Sequence, residues 1–397
     1  MDTRIFYREG DAVVQAAFAD SELTGVTISG PDGELRPGDI YVATVRQITP
    51  GIGGAFVNVG RERNCFLKTD RIDAPIVKQI HRDGKLHQGD ELIVQVEREE
   101  GKNKPATVVT DISLTGVYLV LFHGAKDLRF SVKITDADWK KKMRSTVSEW
   151  MDGSFGLMLR TNAYHAEESD IFREFTVLKE RYERIVREGL TRVAGTRLLS
   201  GLPAYLCDLR DEKTSVPDRI LVQDPEIAAE VEAFAESFRP DFRDRLVVRD
   251  PSDYPISAEF DMKKRLSELV AKKVWLRSGA YLVIEPTEAM TVIDVNTGKA
   301  SEGKSVRDGF LSVNVEAARE IAAQMRLRNL SGIIMVDFIN MTEEKDRTAL
   351  LEELRKAVAG DPDRVRVVDM TSLGLVEITR LKRRRPLSED IKKYLQL

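Results

Sequence analysis

Thr291-Val292-Ile293-Asp294-Val295-Asn296 and Ile333-Ile334-Met335-Val336-Asp337-Phe338 decide how this chain is read. Each is a strand-length run of β-branched and apolar residues interrupted by one aspartate. Such runs are expected to be buried strands, and an isolated ionised carboxylate is very costly to bury. Asp294 and Asp337 therefore each require a partner. Two acids at strand ends would make a small all-oxygen site suited to magnesium, which takes one or two carboxylates with waters and substrate phosphates. Asn296, two residues beyond Asp294, shares its face of an alternating strand and is placed to orient substrate or a bound water. Capping of a neighbouring helix, or pairing with Arg or Lys, would satisfy the two acids equally well. Lys299 and Lys304 follow in a Gly-containing loop, which suits either phosphate contact or plain solvation.

Outward from those runs the second half reads as α/β. Helical periodicity covers residues 261–274, 314–327 and 343–358, and strand-like pieces cover 280–284, 290–294, 333–338, 365–368 and 376–379. Asp294 and Asp337 then fall at the carboxyl ends of strands, where open α/β sheets place ligands. Upstream, residues 172–189 form an amphipathic helix with Phe175, Leu178, Tyr182, Ile185 and Val186 on one face and Gly189 as its stop. Residues 219–222 read as a strand, and Asp224-Pro225 opens a helix to residue 238, Asp as N-cap and Pro at the first turn. A helical piece at 136–151 precedes a strand at 156–160. Five strand-like pieces, at 39–48, 54–59, 63–67, 91–96 and 107–114, with Gly-rich turns and no long helix between them, suit an OB-type barrel. The first 35 residues alternate apolar and polar and close in Ser29-Gly30-Pro31-Asp32-Gly33.

Composition bounds the class. The chain has 397 residues, 42% apolar and 32% charged, enough for several cores beneath a solvated surface. A net charge of −4 does not announce a nucleic-acid binder, so any basic surface is local. Cys65 and Cys207 form no Cys-x-x-Cys pattern, which disfavours a disulfide framework and fits a reducing cytoplasm. No apolar run approaches spanning length and the N-terminus lacks a signal peptide's regions. A soluble cytoplasmic protein without a membrane-spanning segment is expected.

Elsewhere the candidates are weaker. Phe56 and Phe66 in the barrel offer faces for unpaired bases, with Lys102 and Lys104 near a phosphate, although aromatics on small-barrel strands commonly serve the core. Arg380-Leu381-Lys382-Arg383-Arg384-Arg385 is a basic run that suits a nucleic-acid backbone or solvent. Arg160-Thr161, ending a strand, suits a phosphate or a simple turn. His81, His87, His123 and His165 have no ligand spacing, and no Ser–His nucleophile pattern is visible.

Val283-Ile284-Glu285-Pro286-Thr287-Glu288-Ala289-Met290, running on through Asp294 to Thr297-Gly298, resembles the catalytic signature of the ribonuclease E/G family. So do Asn314-Val315-Glu316-Ala317-Ala318 and the stretch from Gln324-Met325-Arg326-Leu327 to Asp337-Phe338. Ala55-Phe56-Val57 through Phe66-Leu67, and Ile112-Ser113-Leu114 through Tyr118-Leu119-Val120-Leu121, resemble that family's S1 RNA-binding domain. The similarity runs over nearly the whole chain.

The resemblance implies an endoribonuclease that cuts single-stranded RNA, mRNA and rRNA precursors among them, using Mg2+ (with Mn2+ able to replace it). Metal-activated water would give 5′-phosphate and 3′-hydroxyl ends. Asp294 and Asp337 would be the metal ligands, and Asn296 would orient the water or the ligand set. Phe56, Phe66 and Lys104 would grip RNA, and Arg160 and Thr161 would sense a 5′-phosphate. The implied fold class is α/β, or α+β in several subdomains. Residues 1–36 and 201–278 would form an RNase H-like fold, 37–117 an inserted S1 domain and 118–200 a 5′-sensor-like region. Residues 279–397 would form a DNase I-like catalytic subdomain with a basic tail. The sequence ends at Leu397 without the family's Cys-Pro-x-Cys, so no structural zinc is expected and a homodimer would form without a zinc link. Residues 128–133 match the second half of the 5′-sensor poorly, and Asn340 stands where the family commonly has another aspartate. An RNA-binding protein of the same fold with little or no turnover is the alternative.

Overall fold

The structure is a computed structural model. It describes all residues except 32, 69–74, 80, 82, 84, 102–103, 213–215, 299–305 and 396–397, and the side chains of 306–308. Asp32, Lys102, Lys299 and Lys304, named above, lie outside the described residues. The chain divides into two compact units: one of residues 1–30, 217–228 and 247–397, the other of residues 31–216 and 229–246.

Three strands open the chain: β1 (Asp2–Glu9), β2 (Ala12–Ala19) and β3 (Glu22–Ser29). The barrel follows as β4 (Ile40–Thr49), β5 (Gly54–Asn58), β6 (Cys65–Lys68), β7 (Glu91–Arg98) and β8 (Thr107–Val109). These five close on themselves in the order β4-β5-β6-β8-β7, with β7 returning to β4. Alternation puts Tyr41, Val45, Ala55, Val57, Cys65, Leu67, Val94 and Val108 inside. The expected strand at 107–114 is two strands. β8 ends at Val109, and β9 (Ser113–Thr115) begins a different sheet. Val108, Ile112 and Leu114 are all buried, so the apolar pattern runs unbroken across a turn that it cannot register.

β9 joins β10 (Leu119–His123), β11 (Leu128–Phe130) and β12 (Phe155–Leu159) in the order β11-β12-β10-β9. Between β11 and β12 runs α1 (Ala137–Ser148), whose first turn is capped by the Asp136 carboxylate accepting from Trp139 N. After β12 comes α2 (Glu168–Thr191), which packs Phe175 and Tyr182 against Phe155. Gly189 does not stop α2. It lies inside the helix, where a Cβ would sit 2.1 Å from Ile93 Cδ1 and 3.1 Å from Leu198 Cδ1. Close packing, not termination, explains the glycine. β13 (Arg197–Leu199) adds to the barrel beside β4.

The remaining elements are α3 (Ala204–Asp211), β14 (Arg219–Val222), α4 (Pro225–Phe238), β15 (Leu246–Val248), α5 (Ile256–Glu259) and α6 (Met262–Val270). Asp224 Oδ1 accepts from the N–H groups of Glu226 and Ile227, as its N-cap reading requires. β14 pairs in parallel with β1, giving a five-stranded sheet β15-β14-β1-β2-β3. The helix expected at 261–274 ends at Val270, because Lys273, Val274 and Trp275 form the edge strand β16 (Lys273–Trp275).

β16 is the first strand of a six-stranded sheet with β17 (Tyr281–Pro286), β18 (Met290–Asn296), β19 (Gly332–Asp337), β20 (Val365–Met370) and β21 (Leu375–Arg380), in the order β16-β17-β18-β19-β21-β20. α7 (Val306–Leu327) and α8 (Glu344–Val358) belong to its core, where Ala317, Ile321, Met325, Leu350 and Leu354 join Ile293, Ile334, Val336 and Ile378. α9 (Leu387–Tyr394) is packed into the separate core of the first sheet through Leu387 and Ile391.

Candidate active site

β18 crosses to β19 through α7, and this parallel pairing sets Asp294 directly opposite Asp337. The register follows from burial: Ile293, Val295, Ile334 and Val336 must all enter the core, so Asp294 and Asp337 must both turn away from it. Adjacent strands lie about 4.8 Å apart. The two carboxylates therefore stand side by side on the same face of the sheet, at the carboxyl ends of their strands.

That face is open. Asp294 and Asp337 are exposed, as are Val292 (39%) and Ile333 (48%). Both acids were expected in buried strands, and the correction has a simple cause. The outward positions of β18 and β19 are themselves partly apolar, so the sequence looks buried on both faces when only one is covered. The acids need no partner for desolvation. They do repel each other, and at such a separation the cost is roughly 1–3 kcal/mol depending on local screening. Among the described residues no Lys, Arg or His forms an ion pair with either carboxylate, and neither acid caps a helix. Asn296 Nδ2 donates to Asp294 Oδ2 at 2.8 Å, confirming that the two side chains share a face.

Two carboxylates with no cationic partner among the described residues, and an amide fixing one of them, suit a hard divalent cation that keeps several waters. Among the described residues no group of three or more His, Cys, Asp and Glu is arranged to hold a metal. Any ion here would be only partly enclosed by protein, and the remaining positions would go to water or phosphate. Asn340 is exposed beyond β19.

In the barrel, Phe56 and Phe66 lie directly opposite one another, with ring centroids 5.7 Å apart and planes inclined at 64°. Their neighbours Ala55, Val57, Cys65 and Leu67 are in the core while both rings are half-buried on the outer side. The core alternative for these aromatics is thus wrong. Gly54 makes the arrangement fit, since a Cβ there would lie 2.3 Å from the Phe66 ring. Lys104 is exposed in the turn leading to β8, whose Thr107 pairs with Phe66.

Arg160 and Thr161 follow directly on β12, which ends at Leu159, and Thr161 opens a short 3-10 turn. Thr161 Oγ1 lies 2.8 Å from Ser131 Oγ, just past β11, so the poorly matching segment 128–133 does meet the expected pocket residues. Ser131 carried no sequence signal. Arg160 is not simply open to a ligand. Its guanidinium donates to the Gly116 carbonyl and, at 2.6 Å, to Asp211 Oδ1. Burial pushes the Asp211 carboxyl up, but Arg210 and Arg160 outweigh it and hold the group below the ordinary carboxylate range.

The basic run is largely structural. Arg380 is 4% exposed, pairs with Asp361 and Asp363, and donates to Asn329 Oδ1 and the Leu330 carbonyl. Arg383 also pairs with Asp363, and Arg384 donates to Thr27 Oγ1. A sequence cannot show that its basic cluster faces two aspartates. No helix among the described residues is long and apolar enough to cross a membrane, and Cys65 and Cys207 form no disulfide.

Residues 113–383 match the model of the ribonuclease E/G family. The chain is 32% identical over 378 residues to a ribonuclease E of Nostoc sp., covering 92% of this chain and 54% of that protein. It is 30% identical over 393 residues to ribonuclease G of Escherichia coli, covering 96% of this chain and 78% of that one. Against ribonuclease G of Haemophilus influenzae it is 30% identical over 362 residues, 88% and 73% of the two chains. It spans about half the length of the Nostoc protein and most of the other two. The chain belongs to the ribonuclease E/G family.

Proposed function

We propose that this chain is a Mg2+-dependent endoribonuclease of the cytoplasm that cuts single-stranded RNA to 5′-phosphate and 3′-hydroxyl ends in rRNA processing and mRNA decay. One observation carries it: Asp294 and Asp337 stand in register on an open sheet face with Asn296 fixed on Asp294 and no cationic partner among the described residues. The names of the relatives support the substrate class.

Asp294 and Asp337 would hold the ion, and Asn296 keeps the Asp294 carboxylate in one orientation. The bound cation would supply Lewis acidity, lowering the pKa of water and offsetting charge on the phosphate. Phe56 and Phe66 would stack on bases while Lys104 meets a phosphate. In the 5′-phosphate pocket, Thr161 and Ser131 would offer hydroxyls, and a terminal phosphate would compete with Asp211 for Arg160. The subdomain reading fits the same scheme. The five-stranded sheet of β1–β3, β14 and β15 would be the RNase H-like part, the barrel the S1 domain, and the six-stranded sheet the DNase I-like part. A second copy of the chain would be a further partner.

The test is cleavage of a fluorescent single-stranded oligoribonucleotide in Mg2+ and in EDTA, with Asp294→Asn and Asp337→Asn beside wild type. Losing a group that merely orients a metal ligand costs roughly 10–100-fold, so each ligand substitution is expected to cost more. If wild type binds the RNA but cuts no faster than the double variant, the protein is a binder and not a nuclease. Equal rates on 5′-monophosphate and 5′-hydroxyl forms of the substrate would remove the sensing role from Arg160 and Thr161.

A further inference from the structure

Three side chains on the open face of the six-stranded sheet have no part in the proposed metal site. Trp275 is 64% exposed, Lys273 is exposed and Tyr281 is half-buried. β16 pairs with β17 so that Lys273 faces Val283 and Trp275 faces Tyr281. β17 in turn sets Val283 against Asp294 and Tyr281 against Asn296. Directly opposed residues of neighbouring strands project to one side of a sheet. Trp275, Tyr281 and Asn296 thus form one row across the open face, and Lys273, Val283, Asp294 and Asp337 form the next. The strand of Trp275 lies two spacings from that of Asp294, roughly 10 Å.

The local packing is built and not casual. The Trp275 and Tyr281 ring centroids are 5.2 Å apart with planes at 60°. Lys273 Nζ sits 3.9 Å from the Trp275 ring centroid and 3.6 Å from that of Tyr281. An indole left mostly in water contributes little to folding, and an apolar surface rimmed by polar groups marks a place where something binds. The chemistry selects the occupant. Aromatic faces beside a cation are how unpaired nucleotides are held, the base on the ring and the phosphate near the ammonium.

We propose that Trp275 and Tyr281, steadied by Lys273, form a stacking platform for a base of the single-stranded RNA adjoining the phosphate that is cut at Asp294 and Asp337. This rests on the nuclease reading of those acids. The platform would set which nucleotide lies beside the scissile bond.

The experiment has two readouts on the full chain. In EDTA, a short single-stranded oligoribonucleotide is titrated while indole fluorescence is followed. The chain has three tryptophans, and Trp139 and Trp150 are packed against Phe130 and Tyr164 and against Phe172 and Phe175. Stacking on Trp275 is expected to quench wild type and not Trp275→Phe. In Mg2+, Trp275→Ala is expected to raise KM about tenfold, the loss of one stacked base. The same variant should keep kcat within about twofold, as loss of uniform binding requires. Quenching that persists in Trp275→Phe, or an unchanged KM in Trp275→Ala, overturns the platform. If RNA quenches Trp275 in a wild type that never cuts, the platform stands and the nuclease reading falls. Cleavage with no Trp275 quenching removes the platform and leaves the nuclease reading in place.

Discussion

At the scale of single residues, the question is what two like charges gain by standing opposite each other. Asp294 and Asp337 gain nothing from one another, and their exposure means that burial does not force a partner on them. The pair is a cost that a divalent cation would relieve. A ligand that binds only the folded state raises stability by an amount set by its concentration over Kd, about 1.4 kcal/mol at ten times Kd. Mg2+ is therefore expected to raise the thermal midpoint of wild type. Asp337→Asn, which removes the repulsion and half the site, should have the higher midpoint in EDTA and gain little from Mg2+. Differential scanning fluorimetry with and without Mg2+ checks both halves, and a wild type indifferent to Mg2+ would remove the cation from this site. The identities of these residues were legible because an acid breaks an apolar run conspicuously. Their exposure was not, since Val292 and Ile333 make the uncovered face look like the covered one. Nor was the pairing of Arg380 with Asp361, which joins residues whose separation carries no pattern.

At the scale of elements, Gly189 sets helix propensity against packing. An alanine in a helix interior is favoured over glycine by about 1 kcal/mol. Here the added Cβ would fall 2.1 Å from Ile93 Cδ1 and 2.7 Å from its Cγ1, and Ile93 is 1% exposed. Overpacking a full core costs typically 1–3 kcal/mol. Packing is expected to win, so that Gly189→Ala lowers stability by up to about 2 kcal/mol in urea unfolding. A stabilised variant would show that α2 can shift away from the barrel strand β7. Reading Gly189 as a stop was natural, since only the neighbour from β7, far away in sequence, reveals its real task. Elements whose signals are local came through better: Asp224 caps α4, and the first four barrel strands fall within a residue or two of their expected positions. Where the apolar pattern continued across a turn, as at Thr110-Asp111-Ile112, two strands were merged into one.

At the scale of the whole molecule, charge and stacking compete as sources of the RNA affinity proposed for this chain. The net charge is −4. Four arginines sit in the basic run, yet Arg380 and Arg383 are paired with aspartates and Arg384 is bonded to Thr27. Aromatics that keep a surface in solvent, by contrast, occur in each compact unit: half-buried Phe56 and Phe66 on the barrel, exposed Trp275 and half-buried Tyr281 on the six-stranded sheet. For single strands the slope of log K against log salt is about −0.7 per phosphate neutralised. With Lys104 and Lys273 as the cations that flank the two proposed stacking surfaces, a shallow slope of roughly −1 to −2 is expected. Each stacked base is worth about 1–3 kcal/mol, so Phe56→Ala should weaken binding about tenfold at low and high salt alike. Fluorescence anisotropy of a labelled single strand in EDTA, measured over a range of KCl, reads both quantities. A slope steeper than about −5 would mean that many phosphates are neutralised and that charge, not stacking, supplies most of the affinity.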